Sequence, residues 1–225
     1  LEGLNAGDQA AEQLQDELNA FTRHFQERAA ELSQIRHSAA ARLSTAVEQE
    51  LQRLGMPGGR LSIQLPATDS SNPHPAGLEH VEFLVSANPG QPLKALSKVA
   101  SGGELSRISL AIQVITAQTS RVPTLVFDEV DVGIGGPTAE VVGQLLRQLG
   151  EHGQVLTVTH LPQVAAQGHQ QLFVHKVRGT SETRTAVSLL DESGRIEEIA
   201  RMLGGVDLTE ESLAHARKLV AIANH

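Results

Sequence analysis

Two apolar runs in this sequence end in side chains that can do chemistry. The first, Pro123 to Phe127, ends in the acids Asp128 and Glu129. The second, Gln154 to Val158, ends in Thr159 and His160. Paired acids behind an apolar strand can divide labour. The first can hold Mg²⁺, usually through water, and the second can orient or deprotonate an attacking water. A lone acid at that place is more often a solvated strand end. Upstream, Ser101-Gly102-Gly103-Glu104 stands where a helical pattern begins. A helix N-terminus leaves amide N–H groups free at the positive end of the dipole, and glycines let an anion approach the backbone. Ser101 adds a hydroxyl. The turn is a candidate phosphate cradle. The plainer reading is a glycine turn with a serine cap, and Glu104 already complements the dipole.

The elements that must position these groups can be read from periodicity. Behind the turn, Leu105, Ile108, Ile112 and Ile115 mark an amphipathic helix. The runs ending in Asp128 and His160 read as buried strands, with a helix from about Pro137 to Leu149 between them. LFVHKV and TAVSLL read as further strands, and RIEEIARMLGG as a helix closed by glycine. Asp207 with Glu210 makes a capping box for the last helix. Strands alternating with helices predict an α/β sheet covered on both faces, with function at the carboxyl ends of the strands. Residues 12–54 carry apolar side chains from Leu14 to Leu54 at gaps of three and four, with no Pro or Gly. That is a coiled-coil helix extending roughly 60 Å at about 1.5 Å per residue. GMPGG at 55–59 ends it, and RLSIQL and HVEFLVSA then alternate as two strands joined by the polar loop PATDSSNPHPAG.

Composition narrows the classes. The chain has 225 residues, 40% of them apolar, so a sizeable core is available. Aromatic content is 2%, which removes the stacking platforms used for single-stranded nucleic acid. The net charge of −8 lacks the basic excess of a phosphate-binding surface, so any DNA contact is local or comes from another segment. Arg107, Arg121 and Arg147 are the candidates, against their ordinary reading as solvated side chains. With no cysteine, disulfides, thiolate metal sites and cysteine nucleophiles are excluded. No apolar run is long enough to span a membrane. Leu1 is an unusual first residue and no signal peptide is visible, so the chain is expected to begin inside something longer.

The order of the motifs is more specific than any one of them. Ser101-Gly102-Gly103-Glu104, Asp128-Glu129, Asp131 within DVGIGG, and Thr159-His160 resemble the signature motif, Walker B, D-loop and switch histidine of ABC-type ATPases. The closer resemblance is to the SMC-like branch, whose heads sit on long coiled coils. KVASGGELSRISLAI, VFDEVDVGIGG, VTHLPQVAA and EIARMLGG look like the C-terminal half of a bacterial DNA repair member of that branch. The resemblance covers nearly the whole chain. It implies an α/β fold: the C-terminal lobe of an ABC-type P-loop NTPase head, a mixed sheet flanked by helices (55–225), on a long N-terminal coiled-coil arm helix (1–54). It implies that Ser101, Gly102 and Gly103, with Glu104 beside them, reach the γ-phosphate of ATP held by the opposite head of a homodimer. Asp128 would stand near Mg²⁺, Glu129 would position water, Asp131 would line the dimer interface, and His160 would sense the γ-phosphate. It further implies double-strand break repair on DNA, in the cytoplasm at the nucleoid. The family also needs a P-loop, G-x-x-x-x-G-K-[ST]. The lysines here are Lys94, Lys98, Lys176 and Lys218, and none follows a glycine. The P-loop belongs to an N-terminal lobe, which becomes a required partner. Alone, this chain is expected to bind ATP poorly and hydrolyse almost none.

Three other readings compete. Ser101, Asp128 and His160 follow the chain order of α/β-hydrolase triads, but Val99-Ala100-Ser101-Gly102-Gly103 lacks the first glycine of a nucleophile elbow. A non-catalytic coiled-coil and dimerisation module accounts for the arm and the missing P-loop. A histidine metal site is poorly supported: His74, His80, His169 and His175 show no H-E-x-x-H spacing and read as surface residues.

Overall fold

The computed structural model describes residues 2–68, 74–99, 101–117, 122–178, 183–205 and 208–223, with side chains apart from those of residues 2–8, 178 and 183. Helix α1 (Glu2–Arg53) is followed by strands β1 (Arg60–Gln64), β2 (Glu82–Ser86) and β3 (Lys94–Ala95). Then come α2 (Gly102–Thr116), β4 (Thr124–Phe127), α3 (Gly136–Gly150), β5 (Gln154–Thr157), α4 (Pro162–Gln167), the pair β6 (Leu172–Arg178) and β7 (Thr183–Leu189), α5 (Glu192–Gly204) and α6 (Glu210–Ala223).

The long helix forms as its spacing predicts, and starts earlier than residue 12. Its apolar seam divides in two. Val47, Leu51 and Leu54 sit in the main core with Ile108, Leu110, Phe127, Val142 and Leu145. Leu14, Leu18, Phe21 and Ile35 face solvent, with Phe21 71% exposed. Gly55 ends the helix in the left-handed region, at φ 72°. Strands β1 and β2 pair antiparallel from Arg60↔Ser86 to Gln64↔Glu82, and the short β3 adds to β2. Part of their connection, residues 69–73, lies outside the described residues. The rest leans on α1, where Arg36 Nη1 donates to Ala76 O at 2.7 Å and meets the buried Glu79.

Strands β4 and β5 pair parallel, from Thr124↔Gln154 to Phe127↔Thr157. Phe127 turns into the core, while Val126, Leu156 and Val158 are exposed on the other side. Strands β6 and β7 form a separate antiparallel pair, with Leu172, Val174, Val187 and Leu189 exposed. The prediction of one sheet covered on both faces is therefore corrected. Among the described residues the strands form three small sheets, and the β4–β5 pair carries helices on one side only.

Two elements had no sequence prediction, β3 and α4. Helix α4 is short, and it lies tight against α3 because position 143 is glycine: a Cβ there would meet Gln163 O at 3.1 Å and the Gln167 side chain. With α5 and α6 it forms a second core around Ala166, Ile199, Ala200 and Ala216. Arg195 holds this corner by donating to Ala166 O at 2.6 Å and Gly168 O at 2.5 Å. Burial pushes its guanidinium below its ordinary value, and the charge of Arg147 adds to this. At the last helix, Asp207 lies outside the described residues. The cap is made by Thr209, whose hydroxyl accepts from the Ser212 N–H at 3.1 Å.

Candidate functional site

Ser101 has extended backbone and caps α2, its Oγ accepting from the Glu104 N–H at 3.3 Å. The Leu105 N–H is taken by Ser101 O at 3.0 Å. The amides of Gly102 and Gly103, in the first turn, have no acceptor among the described residues, as helix geometry requires. Gly103 is buried and Gly102 exposed. A Cβ at Gly103 would press on Val132 O and Glu129 O, at 3.2 and 3.3 Å. A Cβ at Gly102 would overlap the Glu129 carboxylate itself, at Oε2. The signature-like turn and the second acid of the pair therefore touch within one chain.

The parallel register explains how. Val158 N donates to Phe127 O at 3.0 Å, just past the last paired residues. Asp128-Glu129 and Thr159-His160 then leave the strands at the same end. Glu129 sits at φ 58°, the single non-glycine residue with positive φ among those described. This left-handed conformation is uncommon for a glutamate and is held by its surroundings. Its N–H donates to Asp128 Oδ1 at 2.9 Å, and its carbonyl accepts from the Val132 N–H at 3.2 Å. Helix α2 clamps the turn from outside: Ser106 Oγ donates to Asp128 O at 2.6 Å, and Arg107 Nη1 donates to Val132 O at 2.7 Å. Asp128 and Glu129 remain exposed.

The D-loop resemblance implies that the segment holding Asp131 lines a dimer interface; within the chain the Asp131 side chain is 2% exposed and turned inward. Its Oδ2 accepts from Thr159 Oγ1 at 2.5 Å and from the His160 N–H at 3.1 Å. The same oxygen lies 3.5 Å from His160 Nδ1, and the His160 ring is 68% exposed. Thr159, Ser106 and Arg107 are the residues that sequence reasoning missed as supports. Their only sequence signal is position: Thr159 precedes His160, and Ser106-Arg107 follow the glycine turn by one helical turn.

Two of the three DNA candidates are engaged within the chain, at backbone carbonyls. Arg107 is buried against the turn. Burial pushes its guanidinium below the ordinary value, and Glu104 partly offsets this. Arg147 donates to Gln167 O at 2.7 Å, holding α3 to the end of α4. Arg121 lies outside the described residues. The hydrolase order makes no triad either. Ser101 Oγ is engaged at the helix cap, and the carboxylate beside His160 is Asp131, not Asp128.

Beside this site runs a groove of about 1190 Å³ between β5 and the β6–β7 pair. Val126, Leu156, Val158, Leu172, Val174 and Val187 give it apolar walls, and Thr159 and His160 stand at its edge. Buried oxygens of Thr157 and Gln171 have no partner among the described residues, and both side chains line the groove. No described helix is long and apolar enough to cross a membrane.

No family model matches the chain. Curated relatives do. The chain is 54% identical over 202 residues to the DNA repair protein RecN of Xylella fastidiosa strain Temecula1, covering 90% of this chain and 36% of the relative. It is 50% identical to RecN of Vibrio cholerae, over 98% of this chain and 40% of that one. Against RecN of Bacillus subtilis the identity is 35%, over 96% and 40%. The chain thus spans well under half the length of the curated relatives it matches. Among solved structures it resembles an Smc head domain with a coiled coil and joint from Pyrococcus yayanosii, at TM-score 0.50 and 19% identity, over 73% of this chain and 29% of that one. That likeness is one of fold. With the long helix, the parallel pair and the ordered motifs, these identities match the chain to the C-terminal part of RecN proteins, with the fold of an SMC-like head and its coiled-coil helix.

Proposed function

We propose that the chain supplies one half of a composite ATP site in an SMC-like ATPase acting in DNA double-strand break repair and recombination. Ser101, Gly102 and Gly103, with Glu104 at the helix start, meet the γ-phosphate of ATP bound by the opposite head of a homodimer. Glu129 orients the attacking water, and His160 contacts the γ-phosphate of its own head. Bound Mg²⁺ would neutralise charge developing on the phosphates. Asp128 suits it: the side chain is exposed and, among the described residues, Oδ1 alone is engaged, by the Glu129 N–H at 2.9 Å, leaving the other oxygen for a metal-bound water. The protein works in the cytoplasm at the nucleoid. Its DNA contacts come from segments other than Arg107 and Arg147, which hold backbone carbonyls.

One observation carries this reading: the acid pair and the switch histidine leave β4–β5 at the same end, for this head's own phosphates, and the free amides at the start of α2 stand beside them, open to the phosphate of the other head. A triphosphate needs donors on its oxygens and an acid facing the water, and these groups are of those kinds. The P-loop must come from another segment, the N-terminal lobe. The open apolar groove suits it, because a strand and helix laid there would cover Val126, Leu156 and Val158.

Steady-state ATP hydrolysis in three samples tests the proposal: this chain alone, the chain with a separately made P-loop lobe, and that mixture carrying Glu129→Gln. Turnover is expected only in the second sample, with Glu129→Gln lowering it by about 100-fold or more. Silence in all three, with the lobes shown to associate, overturns it. The remaining reading would be a non-catalytic coiled-coil and dimerisation module, which the solvent-facing seam of α1 favours.

A further inference from the structure

Two carboxylates are buried among the described residues, Glu79 and Asp131. Glu79 meets Arg36. Asp131 has no arginine or lysine partner there. A buried carboxylate is costly unless hydrogen bonds compensate it. Here the compensation comes from two consecutive residues, through the Thr159 hydroxyl at 2.5 Å and the His160 N–H at 3.1 Å. The Thr159 oxygen in turn accepts from the Leu161 N–H at 3.0 Å, which fixes the entry into α4. The segment after β5 is thus tied to the turn after β4 at a single oxygen, Asp131 Oδ2. The same turn is tied to α2 through Val132 O and Arg107. With Nδ1 of the exposed His160 ring 3.5 Å from Asp131 Oδ2, Nε2 is the nitrogen left for a ligand.

We propose that Asp131 is the positioning residue of the switch histidine: through Oδ2 it fixes the Thr159-His160 backbone and turns the His160 ring so that Nε2, not Nδ1, meets the phosphate. The use of that ring rests on the ATP-site reading above. The orientation itself does not. Outer partners that orient metal-ligating histidines change activity by about 10- to 100-fold when removed, and a loss on the lower side of that scale is expected for a histidine that meets a phosphate.

The test uses the two-lobed head with Asp131→Ala, Asp131→Asn, Thr159→Val and His160→Ala. Ring nitrogen resonances of His160, read by NMR without nucleotide, report orientation independently of turnover. They are expected to move in Asp131→Ala, to move less in Thr159→Val, and to stay near wild type in Asp131→Asn, whose amide oxygen can accept the same two hydrogen bonds. For ATP, Asp131→Ala should lower kcat by about tenfold or more with KM within about twofold. The Asp131→Ala/His160→Ala double variant should be no slower than His160→Ala alone, and Asp131→Asn should recover most of kcat. Ring resonances unchanged in both Asp131→Ala and Thr159→Val overturn the proposal. So does a loss carried by KM alone, or a double variant slower by the product of the two single effects. If Asp131→Ala fails to fold, Asp131→Asn and Thr159→Val carry the same comparison. A wild-type head without turnover whose His160 ring still responds to Asp131 would sink the ATP-site reading and leave the positioning role standing.

Discussion

Glycine at position 102 leaves room for a group 27 positions further along, Glu129: a β-carbon there would share space with that carboxylate as it now lies. The atom in the way is the far end of a flexible side chain. Gly102→Ala should therefore leave folding stability nearly unchanged, within about 0.5 kcal/mol. It should still cut turnover of the complete head by tenfold or more, because Glu129 must move. Thermal unfolding and ATP hydrolysis on the same sample check both halves. A large loss of melting temperature would mean the backbone, not the carboxylate, gave way. Gly103 differs, since its close neighbours are the backbone oxygens of Val132 and Glu129, which cannot swing aside. The glycine pair is legible in the sequence as a turn. Its contact with Glu129 is not, because it needs the register of two distant segments.

At the scale of elements, α1 is one helix doing two jobs. Leu51 is buried in the main core and Phe21 is exposed, although both lie on the same seam. Leu51→Ala should cost about 2–5 kcal/mol of stability, and Phe21→Ala within about 0.5 kcal/mol in this chain. Denaturant unfolding separates them, and similar losses at both sites would mean that the outer seam is already covered. Helix α5 offers a pH test. Asp191 caps it by accepting from the Gly194 N–H at 2.8 Å and from Ser193 Oγ at 3.0 Å. The Gly194 backbone bond is the larger cause, and Ser193 the smaller, of an Asp191 pKa below the ordinary aspartate value of about 4. A folded value below the unfolded one means that the cap's contribution is complete above pH of about 4 and is lost as pH falls through the lower, folded value. The Gly194 amide shift should titrate with a midpoint below that of an unfolded peptide, and Asp191→Asn should abolish the titration while keeping the helix. A midpoint at or above the peptide value would refute the cap. Sequence periodicity reached α1, α2, α3 and α5. It missed β3 and α4, which are too short to show a period and exist because they add to β2 and pack on α3 at Gly143.

The whole molecule is open along one side of its parallel pair. Val126 is 68% exposed although it sits in the middle of β4. Val126→Lys should leave the stability of this chain within about 0.5 kcal/mol, since the side chain already meets water. It should weaken association with a P-loop lobe by tenfold or more, because a buried unpaired ammonium is costly. Calorimetric titration of one lobe with the other decides this, and unchanged affinity would place the lobe elsewhere. What the sequence determined by itself was the local and periodic: the long helix, its glycine stop, the strand endings, and the ordered motifs from Ser101 to His160. Those features are written in neighbouring residues, and spacing alone reveals them. Only the tertiary structure decided that Asp131 turns inward to Thr159 and His160, that Arg107 and Arg147 serve backbone carbonyls, and that one sheet face stays bare. Each of these depends on which distant segments share a register. A carboxylate or guanidinium takes its role from whatever donors, acceptors and water that register sets beside it.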